Sequence, residues 1–558
     1  MSEESKEADA AANLEALEDA LKEAKQATAE DAGDEGDSSA GEEDEQPAPA
    51  NGESAAAGAA KKKKRSKKKK LKQAILGSVK SESMPKTAAD LTSDQLNALL
   101  DVNPALKAEV NAMDPKNVQE MMKRLNLADL LTGLSVGGKN KKDMASYKFW
   151  QTQPVQTFQD REKGSAIEDG PLKVIDIDRV RKEPYDLPDG FVYVTMDLDD
   201  EVQLKEVYEL LVNHYVEDDE AMFRFNYSIS FLNWALKAPG WTKEWHIGVR
   251  TTGSNKLVAF ISGIPMSIRV RANILSCSEI NFLCIHKKLR SKRLAPELIK
   301  EVTRRCYIAN VYQAIYTGGV ILPTPVSTCR YFHRSLDWEK LFEVGFSPLP
   351  PGSTKTRQVS KYKLPTDPLT PNLRPMKRED AKQVLDLLTR YLQRSDLTQM
   401  FNKEEVVHWL MYQQRPSDEQ VVWSYVVEDP ETKKITDFFS FYCLESTVIG
   451  KNKVVRAAYL FYYATDAAFQ DDKKVLKVRL NALMKDALIL AKRAKFDVMN
   501  ALTLMDNPLF LEEQKFGAGD GQLHYYLFNY RTAPIAGGID QRNQADEKFM
   551  DGVGLVML

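Results

Sequence analysis

Residues 279–305 read EINFLCIHKKLRSKRLAPELIKEVTRR, and this stretch decides the fold. Its first part, 280–285, is an apolar run of strand length. Apolar residues then recur at helical spacing from Leu294 to Cys306. Pro296 falls in the first helical turn, where its missing N–H would have no partner anyway. The stretch therefore predicts a strand, a turn and a helix.

The turn is strongly cationic, because it carries Lys287, Lys288, Arg290, Lys292 and Arg293. Free backbone N–H groups and the positive end of the helix dipole make a strand-to-helix junction an anion-binding site. We expect the anion to be a pyrophosphate. A solvated surface loop is the alternative for a basic turn considered by itself.

The generic acyl-CoA-binding turn of acetyltransferases reads Arg/Gln-x-x-Gly-x-Gly/Ala. Residues 290–295 (RSKRLA) match it, except that Arg293 replaces the middle glycine. This departure argues against a plain acetyltransferase. The whole of 279–305 is instead similar to the signature of N-myristoyltransferases, a divergent branch of the same superfamily.

Three further stretches carry the same resemblance. Residues 515–521 (KFGAGDG) resemble the family's other signature, 554–558 (GLVML) resemble its fungal C-terminus, and 147–150 (YKFW) resemble a second CoA contact. The resemblance covers roughly residues 145–558. It implies an α+β fold of two fused acetyltransferase-like, GNAT-type halves around a pseudo-twofold axis.

A weak internal repeat in the residues agrees with two halves. Residues 207–234 can be aligned with 384–409, and each segment is helical in pattern and ends at a tryptophan, Trp234 or Trp409. Strand patterns follow both tryptophans, which suggests two copies of one α+β unit. Chance similarity is the alternative.

Composition divides the chain further, and the proline-rich run from Pro348 is a natural boundary between halves. The predicted regions are a disordered acidic tail (1–60), a polybasic segment (61–72) and a helical and linker region (73–143). For the rest, the resemblance implies an N-terminal acyltransferase half that binds acyl-CoA (144–347) and a C-terminal acyltransferase half that binds peptide and supplies the C-terminal carboxylate (348–558).

The net charge of −3 hides a strong segregation of charge. Residues 1–60 hold 18 Asp/Glu and 3 Lys, and 61–72 (KKKKRSKKKKLK) hold ten cations. The acidic tail has too little apolar surface to fold alone. The resemblance favours ribosome contact for the polybasic segment; anionic lipid, nuclear import, a solvated run or pairing with the acidic tail are the alternatives.

Several classes of protein are disfavoured by composition. The five cysteines form no CxxC pair, which is typical of an intracellular protein with reduced thiols, and no metal-site spacing is present. No apolar run approaches about 18 residues, so we expect a cytoplasmic protein without stable membrane insertion. We expect a monomer with no DNA partner, no metal and no permanently bound cofactor.

Myristoyl-CoA is the co-substrate that the resemblance implies. The cationic turn would hold its phosphates, and the aromatic and basic residues at 147–150 would contact the rest of CoA, unless those aromatics are ordinary core residues. The acyl-CoA residues carried over are Tyr147, Lys148, Phe149, Trp150, Phe282, Leu283, Cys284, Ile285, Arg290, Ser291, Lys292, Arg293, Leu294 and Ala295.

Two catalytic elements follow from the resemblance. The backbone N–H groups of Phe282 and Leu283 would form an oxyanion hole, an arrangement in which each donor typically contributes about 2.7–4 kcal/mol to transition-state stabilisation. A covalent acyl-enzyme on Cys284 is disfavoured, because no His or Asp/Asn lies at triad spacing. The base would be the C-terminal carboxylate of Leu558; a last strand with a solvent-facing end is the alternative.

Proton transfer to that base is mismatched in water. An α-amino group has a pKa near 8 and an α-carboxyl a pKa near 3.5, so we expect a desolvated pocket or prior loss of the proton. Asn281 and Thr317 are the expected polar partners of the amine.

Peptide recognition has its own candidates, in part on a loop with acidic and aromatic residues. An ordinary solvated loop is the alternative for the acidic residues, and His333 is alternatively a helix cap or a satisfied buried group. The peptide-binding residues carried over are Val216, Asp218, Phe223, Phe225, Tyr227, Tyr331, His333, Gly517 and Asp520.

The predicted function is myristoyl transfer from myristoyl-CoA to the N-terminal glycine of proteins or nascent chains. The attack would be direct and the binding ordered, with the CoA ester first. A related N-acyltransferase with another acyl chain or amine is one alternative. A non-enzymatic module tethered to ribosomes is the other.

Overall fold

A computed structural model describes residues 147–158, 160, 167–217, 222–411 and 419–558. The three predicted N-terminal regions lie outside these residues, and so does Asp218. Residues Tyr147–Leu558 form one compact unit.

The described residues contain eight α-helices and fifteen β-strands. The helices are α1 (Glu201–His214), α2 (Ile229–Leu236), α3 (Leu294–Ile308), α4 (Trp338–Val344), α5 (Lys355–Lys361), α6 (Ala381–Leu392), α7 (Lys403–Met411) and α8 (Lys473–Arg493). The strands are β1 (Phe191–Thr195), β2 (Phe223–Asn226), β3 (His246–Thr251), β4 (Leu257–Val270), β5 (Asn273–Ile285), β6 (Gln313–Gly318), β7 (Ser327–Ser335), β8 (Leu373–Pro375), β9 (Leu397–Gln399), β10 (Val422–Glu428), β11 (Ile435–Val448), β12 (Val454–Thr465), β13 (Val498–Leu502), β14 (Gly517–Phe528) and β15 (Val553–Gly554).

The strand order has a pseudo-twofold symmetry. The main path of the sheet runs β1-β3-β4-β5-β6-β14-β7-β13-β12-β11-β10-β8. Strands at equal distances from the two ends of this path are equivalent: β1 corresponds to β8, β3 to β10, and so on inward to β14 and β7 at the centre. The chain also passes through matching elements in the same order twice. The predicted α+β fold of two fused halves about a pseudo-twofold axis is confirmed.

The two halves exchange strands across the axis. Strand β14 of the second half pairs with β6 of the first, and strand β7 of the first half pairs with β13 of the second. The short strands cross as well, because β2 pairs with β11 and β9 pairs with β4. The sheet is therefore continuous, and the exact boundary at 347/348 stays a prediction.

Polar caps and aromatic packing set the helices of the repeat in place. The Asp200 and Ser228 side chains accept hydrogen bonds from the first turns of α1 and α2, which satisfies N–H groups that have no helical partner. The tryptophans that end the two sequence repeats, Trp234 in α2 and Trp409 in α7, contact each other edge to face, with ring centroids 5.2 Å apart. The two copies of the repeat predicted from the sequence therefore contact each other inside the hydrophobic core.

Candidate functional site

The predicted strand, turn and helix are present as β5, a 3-10 helix over Lys287–Lys292, and α3. Arg293 joins the turn to α3 with φ = 55°, in the left-handed region. Glycine adopts this conformation without a steric penalty, whereas another L-residue loses roughly 1–2 kcal/mol. This explains why the generic acetyltransferase turn has glycine at the position that Arg293 occupies.

An apolar cavity lies beside this unit, between β5, β6 and α3. Its volume is about 850 Å³ when the space open to solvent is included. Five of the predicted site residues line it: Trp150, Asn281, Phe282, Leu283 and Thr317.

The cavity exists because β5 and β6 stop pairing. Their parallel register ends at Ile280 opposite Tyr316, although β5 continues to Ile285. On its other edge, where it pairs with β4, β5 has a bulge. Phe260 pairs with Cys284 and Ser262 pairs with Asn281, so the single residue Ile261 of β4 lies opposite two residues of β5. A bulge of this kind releases backbone groups from the ladder.

The two bulged residues are Phe282 and Leu283, the predicted oxyanion donors. Phe282 has φ = 56°, an uncommon conformation for an aromatic residue. Burial raises the pKa of Tyr215, and a backbone hydrogen bond from Phe282 acts on that pKa in the opposite direction. The two rings also pack together, with centroids 5.8 Å apart, so the bulge lies against a tyrosine that lines the cavity.

The cavity wall near the chain's first described residues is aromatic. Trp150 is buried and stacks on Tyr316, with ring centroids 5.8 Å apart and planes 8° from parallel. The Tyr147 hydroxyl donates to the Ile321 carbonyl oxygen at 3.1 Å. Lys148 is exposed, and Phe149 packs edge to face on Trp150. Of these four residues, Trp150 is the one that lines the cavity.

The cationic turn is exposed and is tied to α1 and the following loop. Arg290 donates to the carbonyl oxygen of His214 at 2.7 Å, and Lys287 forms an ion pair with Glu217. Glu217 also pairs with Arg224 in β2. One carboxylate thus links the predicted CoA turn to the strand that carries the predicted peptide residues.

Cys284 is unsuited to nucleophilic catalysis. Its side chain is 2% exposed, and burial raises the pKa of its thiol to about 12. The sulfur donates a long hydrogen bond to the Leu210 carbonyl oxygen at 3.8 Å. Since the thiolate is the nucleophilic form, the protonated thiol at this position leaves direct attack as the simpler chemistry.

Aromatic peptide-binding candidates gather next to the bulge. Tyr227 packs against Phe282, with ring centroids 5.3 Å apart, and against Phe225 at 5.8 Å. Val216, two residues before Asp218 in the sequence, is 37% exposed. The structure thus brings the predicted peptide residues on β2 to the oxyanion bulge.

The second group of peptide candidates surrounds His333. Its Nδ1 lies 2.7 Å from Asn500 Oδ1, and its ring packs edge to face on Phe346, which in turn contacts Phe223. Burial lowers the pKa of His333, while the hydrogen bond to Asn500 and the charge of Asp520 act in the opposite direction. His333 is therefore neutral at physiological pH.

The glycine-rich signature allows its strand to pass close to this histidine. A Cβ atom on Gly519 would lie 2.4 Å from His333 Nε2, so a larger residue cannot fit without displacing the ring. Gly517 pairs with His333 in the sheet, and both Gly517 and Asp520 are exposed.

Sequence reasoning missed a cluster of tyrosines. Burial raises the pKa of Tyr227, and the hydroxyls of Tyr215, Tyr331, Tyr442 and Tyr459 are near enough to raise it further. Of these, only Tyr227 and Tyr331 had been predicted. The others lie on α1's C-terminal end, β11 and β12, and no spacing in the sequence indicates that they meet.

The C-terminal tail is threaded into the core. The residues from Val553 to Met557 are buried, and β15 pairs in parallel with β9. The Tyr525 hydroxyl donates to the Leu555 carbonyl oxygen and the Val556 N–H donates to the Tyr462 hydroxyl, both at 3.0 Å. Leu558 is half-buried and packs on the core.

Strand β14 connects the tail with the cavity wall. Tyr525, which holds Leu555, is the direct sheet neighbour of Thr317, and Thr317 lines the cavity. In the part of the chain that the structure describes, no group of three His, Cys, Asp or Glu residues is arranged to hold a metal. Of the described helices, none is both long and apolar enough to span a bilayer.

A cationic turn between β5 and α3, together with an apolar cavity lined by that same strand and helix, fits an acyltransferase that uses a CoA ester. Two family models match the chain: the N-terminal domain of myristoyl-CoA:protein N-myristoyltransferase over 171–329 and its C-terminal domain over 343–556. The chain belongs to the myristoyl-CoA:protein N-myristoyltransferase family. The predictions of the family and of an acyltransferase are confirmed.

Individual relatives agree with this assignment. Glycylpeptide N-tetradecanoyltransferase of Emericella nidulans is 63% identical over 470 residues, which cover 84% of this chain and 95% of the relative. The Neurospora crassa protein of the same name is 54% identical and covers 100% of this chain and 99% of the relative. A crystal structure of Saccharomyces cerevisiae N-myristoyltransferase with bound myristoyl-CoA is 49% identical, has a TM-score of 0.71, and covers 74% of this chain and 99% of the yeast chain.

Proposed function

We propose that the chain transfers a myristoyl group from myristoyl-CoA to the amine of an N-terminal glycine by direct nucleophilic attack. The observation that carries the proposal is the bulge at Phe282 and Leu283, which presents backbone donors to an apolar cavity where β5 and β6 separate. The names of the fungal relatives and the ligand of the yeast structure support the same donor and acceptor.

In this proposal the CoA ester binds along the strand–turn–helix unit. The turn, through Arg290, Ser291, Lys292 and Arg293, and the first N–H groups of α3 hold the phosphates. The acyl chain enters the apolar cavity between β5 and α3. Trp150 covers the cavity on its aromatic side, with Tyr147, Lys148 and Phe149 contributing the outer part of the CoA contact.

The bulge polarises the thioester. The N–H groups of Phe282 and Leu283 donate to the thioester oxygen as negative charge develops on it. The amine attacks the carbonyl carbon, CoA leaves as its thiol, and Cys284 takes no covalent part.

The C-terminal carboxylate of Leu558 accepts the proton that the glycine ammonium loses. Two observations support this role: the tail is buried, and the hydroxyls of Tyr525 and Tyr462 hold it, of which Tyr525 is the sheet neighbour of the cavity-lining Thr317. A desolvated carboxylate has a raised pKa, which reduces the mismatch with the amine. Asn281 and Thr317 are the polar contacts of that amine.

The acceptor peptide lies along the β2 side of the bulge, with Tyr227, Phe225 and Tyr331 around its first residues and Asp218 meeting a basic residue further on. Acceptors carry Ser or Thr a few residues after the glycine, the recognised pattern. In the proposal binding is ordered, with the CoA ester first. The ion pairs of Glu217 with Lys287 and Arg224 connect the turn to β2 and offer a route by which the first ligand could affect the peptide side. Single acylation gives the product only marginal membrane affinity.

The cellular setting is also part of the proposal. The enzyme acts as a cytoplasmic monomer, and the polybasic segment at 61–72 contacts ribosomes, where nascent N-terminal glycines become available. The charge of this segment, ten cations in twelve residues, supports binding to ribosomal RNA.

Steady-state transfer to a glycine-starting octapeptide tests the reaction and its base. The intact chain is compared with one lacking Leu558 and one extended by a single glycine. We expect both altered chains to lose most of kcat while they still bind the CoA ester. Equal activity of all three chains would move the base elsewhere. An inactive intact chain, or a preference for another acyl length in competition, would refute the proposed function.

A further inference from the structure

A buried acid lies directly behind the cavity wall and has no place in the mechanism above. Glu279 on β5 is 3% exposed. Its Oε1 accepts a hydrogen bond from Asn281 Nδ2 at 2.7 Å, and Asn281 lines the cavity whereas Glu279 does not. No ion pair to Glu279 is formed by any residue that the structure describes. A buried carboxylate without a cation is strongly disfavoured.

The surroundings of Glu279 are neutral. The titratable groups that interact with its charge are Cys277 on β5, Tyr442 on β11 and Tyr462 on β12. Burial raises the pKa of each of these three groups, so all are uncharged at physiological pH. Burial also raises the pKa of Glu279 itself to about 7, although the hydrogen bond from Asn281 lowers it.

The fold does not require this polar pair. In the second half, Phe439 of β11 pairs with Tyr463 of β12, and Phe441 pairs with Leu460. This is the same register as in the first half, where Phe260 of β4 pairs with Cys284 of β5 and Ser262 pairs with Asn281. The positions that match Glu279 and Asn281 are therefore Ala458 and Leu460. Both are buried and apolar. The acid and the amide are specific to the half that has the cavity.

An ionised carboxylate can only accept hydrogen bonds, so the NH₂ group of Asn281 must face Glu279. The amide oxygen, Oδ1, is then directed toward the cavity. We propose that Glu279 is a positioning residue for the acceptor amine: through its hydrogen bond with Asn281 it fixes Oδ1 of Asn281 as an acceptor for the glycine ammonium. The inference rests on the proposed function and names the group that recognises its acceptor.

Protonation of Glu279 reverses this arrangement. A protonated carboxyl donates its O–H to Oδ1, so the Asn281 amide turns and presents N–H groups to the cavity, which repel an ammonium. Affinity for the glycine peptide should therefore fall as pH drops through about 7. The amine itself is more fully protonated at lower pH, so its own titration predicts the opposite trend.

The test uses the full-length chain saturated with a non-hydrolysable thioether analogue of myristoyl-CoA. Binding of a glycine-starting octapeptide is compared with binding of its des-amino analogue, in which acetyl replaces glycyl. We expect Glu279→Gln to weaken the glycine peptide roughly 10- to 100-fold and to leave the analogue unchanged. Affinity for the CoA ester should not change.

Glu405→Gln is the matched control. Glu405 is another buried acid, 8% exposed, and burial raises its pKa, but it only accepts a backbone hydrogen bond from Asn402 at the start of α7. This variant should discriminate between the two peptides as the unaltered chain does. An Asn281→Leu chain should show no additional loss when Glu279→Gln is added, because Glu279 acts through Asn281.

Calorimetry of the unaltered chain provides a measurement that needs no variant. At pH 6.5, in buffers of different ionisation enthalpy, binding of the glycine peptide should release a proton and binding of the des-amino analogue should not. The inference is overturned if no proton is released, or if Glu279→Gln weakens both peptides equally or neither. An unaltered chain that transfers no myristoyl would instead contradict the proposed function.

Discussion

The β4–β5 and β11–β12 hairpins are the same structure built twice. Each has a bulge that places one residue opposite two, and the equivalent residues, Phe260 and Phe439 or Cys284 and Tyr463, lie 179 positions apart. Each hairpin continues through a 3-10 helix into a long helix, α3 or α8. The backbone alone therefore does not determine which hairpin carries the chemistry.

The hairpins differ in a few side chains and one dihedral angle. Phe282 in the first bulge has a positive φ, whereas the described backbone has no positive φ at the matching Phe461 or Tyr462. After β12 the turn is acidic: Asp466 pairs with Arg390, and Asp472 caps α8. The first hairpin leads into the cationic turn for which we propose anion binding, whereas the second holds the C-terminal tail through the Tyr462 hydroxyl.

The largest expected effect compares Phe282→Ala with Phe461→Ala. Both side chains are buried, 2% and 3% exposed, so each truncation should lower the free energy of unfolding by about 3–5 kcal/mol. Only Phe282→Ala should also reduce kcat, by about 100-fold, because it loses the contacts with Tyr215 and Tyr227 that hold the bulge. Urea unfolding and steady-state assays measure both quantities. Equal kcat values for the two variants would remove the functional distinction between the bulges.

Acid should destabilise both halves, because each buries a neutral histidine. Burial lowers the pKa of His246 to about 3 and of His408 to about 4, from 6.5. The unfolded chain binds these protons first, so stability present above pH 6.5 is lost as pH falls toward 4, by about 1.4 kcal/mol per pH unit for each histidine.

Urea unfolding at pH 7.0 and 5.0 measures this loss. His246→Gln and His408→Gln should each flatten the pH dependence, by roughly 2 kcal/mol over that interval, and the double variant should flatten it further. An unchanged slope in either variant would show that the histidine concerned has the same pKa in the folded and unfolded chains.

Two adjacent tyrosines on β12, Tyr462 and Tyr463, allow the role of the tail to be tested, because one hydroxyl bonds the C-terminal tail and the other bonds only core residues. Tyr462 bonds the Val556 N–H and Gln399, whereas Tyr463 bonds Asn507 and the Asp506 N–H. Removing either hydroxyl should lower stability by about 1–3 kcal/mol. Tyr462→Phe alone should lower kcat without changing affinity for the CoA ester. The idea fails if Tyr463→Phe affects kcat as strongly.

The smallest effect concerns the two turns. Lys288→Ala with Lys292→Ala, both exposed, should weaken binding of the CoA ester by about threefold to tenfold and reduce the salt dependence of binding. Asp466→Asn in the second turn should leave that affinity within experimental error. Titrations at two salt concentrations measure both, and an effect of Asp466→Asn as large as that of the lysines would contradict the assignment of the anion site.

The sequence was sufficient where local pattern determines structure. Periodicity predicted β5 and α3, the proline placed the start of the helix, and the spacing of Trp234 and Trp409 indicated two copies of one unit. Roles for Leu558, Phe282 and the peptide residues came from a family resemblance, and the structure adds their surroundings.

The remaining features depend on long-range contacts. A positive φ at Phe282 cannot be read from a phenylalanine, because the bulge is imposed by the pairing of β4 and β5. The tyrosines around Tyr227 come from elements far apart in sequence and meet only when the sheet closes. From the sequence, Glu279 is an ordinary strand residue, because its burial among uncharged neighbours becomes visible only in the folded structure.

The exchange of β7 and β14 between the halves has a consequence for synthesis on the ribosome. When the first half has emerged, β6 still has an open edge, because β14 is about 200 residues further along the chain. An unpaired edge is a template for aggregation, and pairing between strands so distant in sequence is slow. The nascent chain is thus most vulnerable after its first half is made, and chaperone binding should matter most between the synthesis of β6 and that of β14.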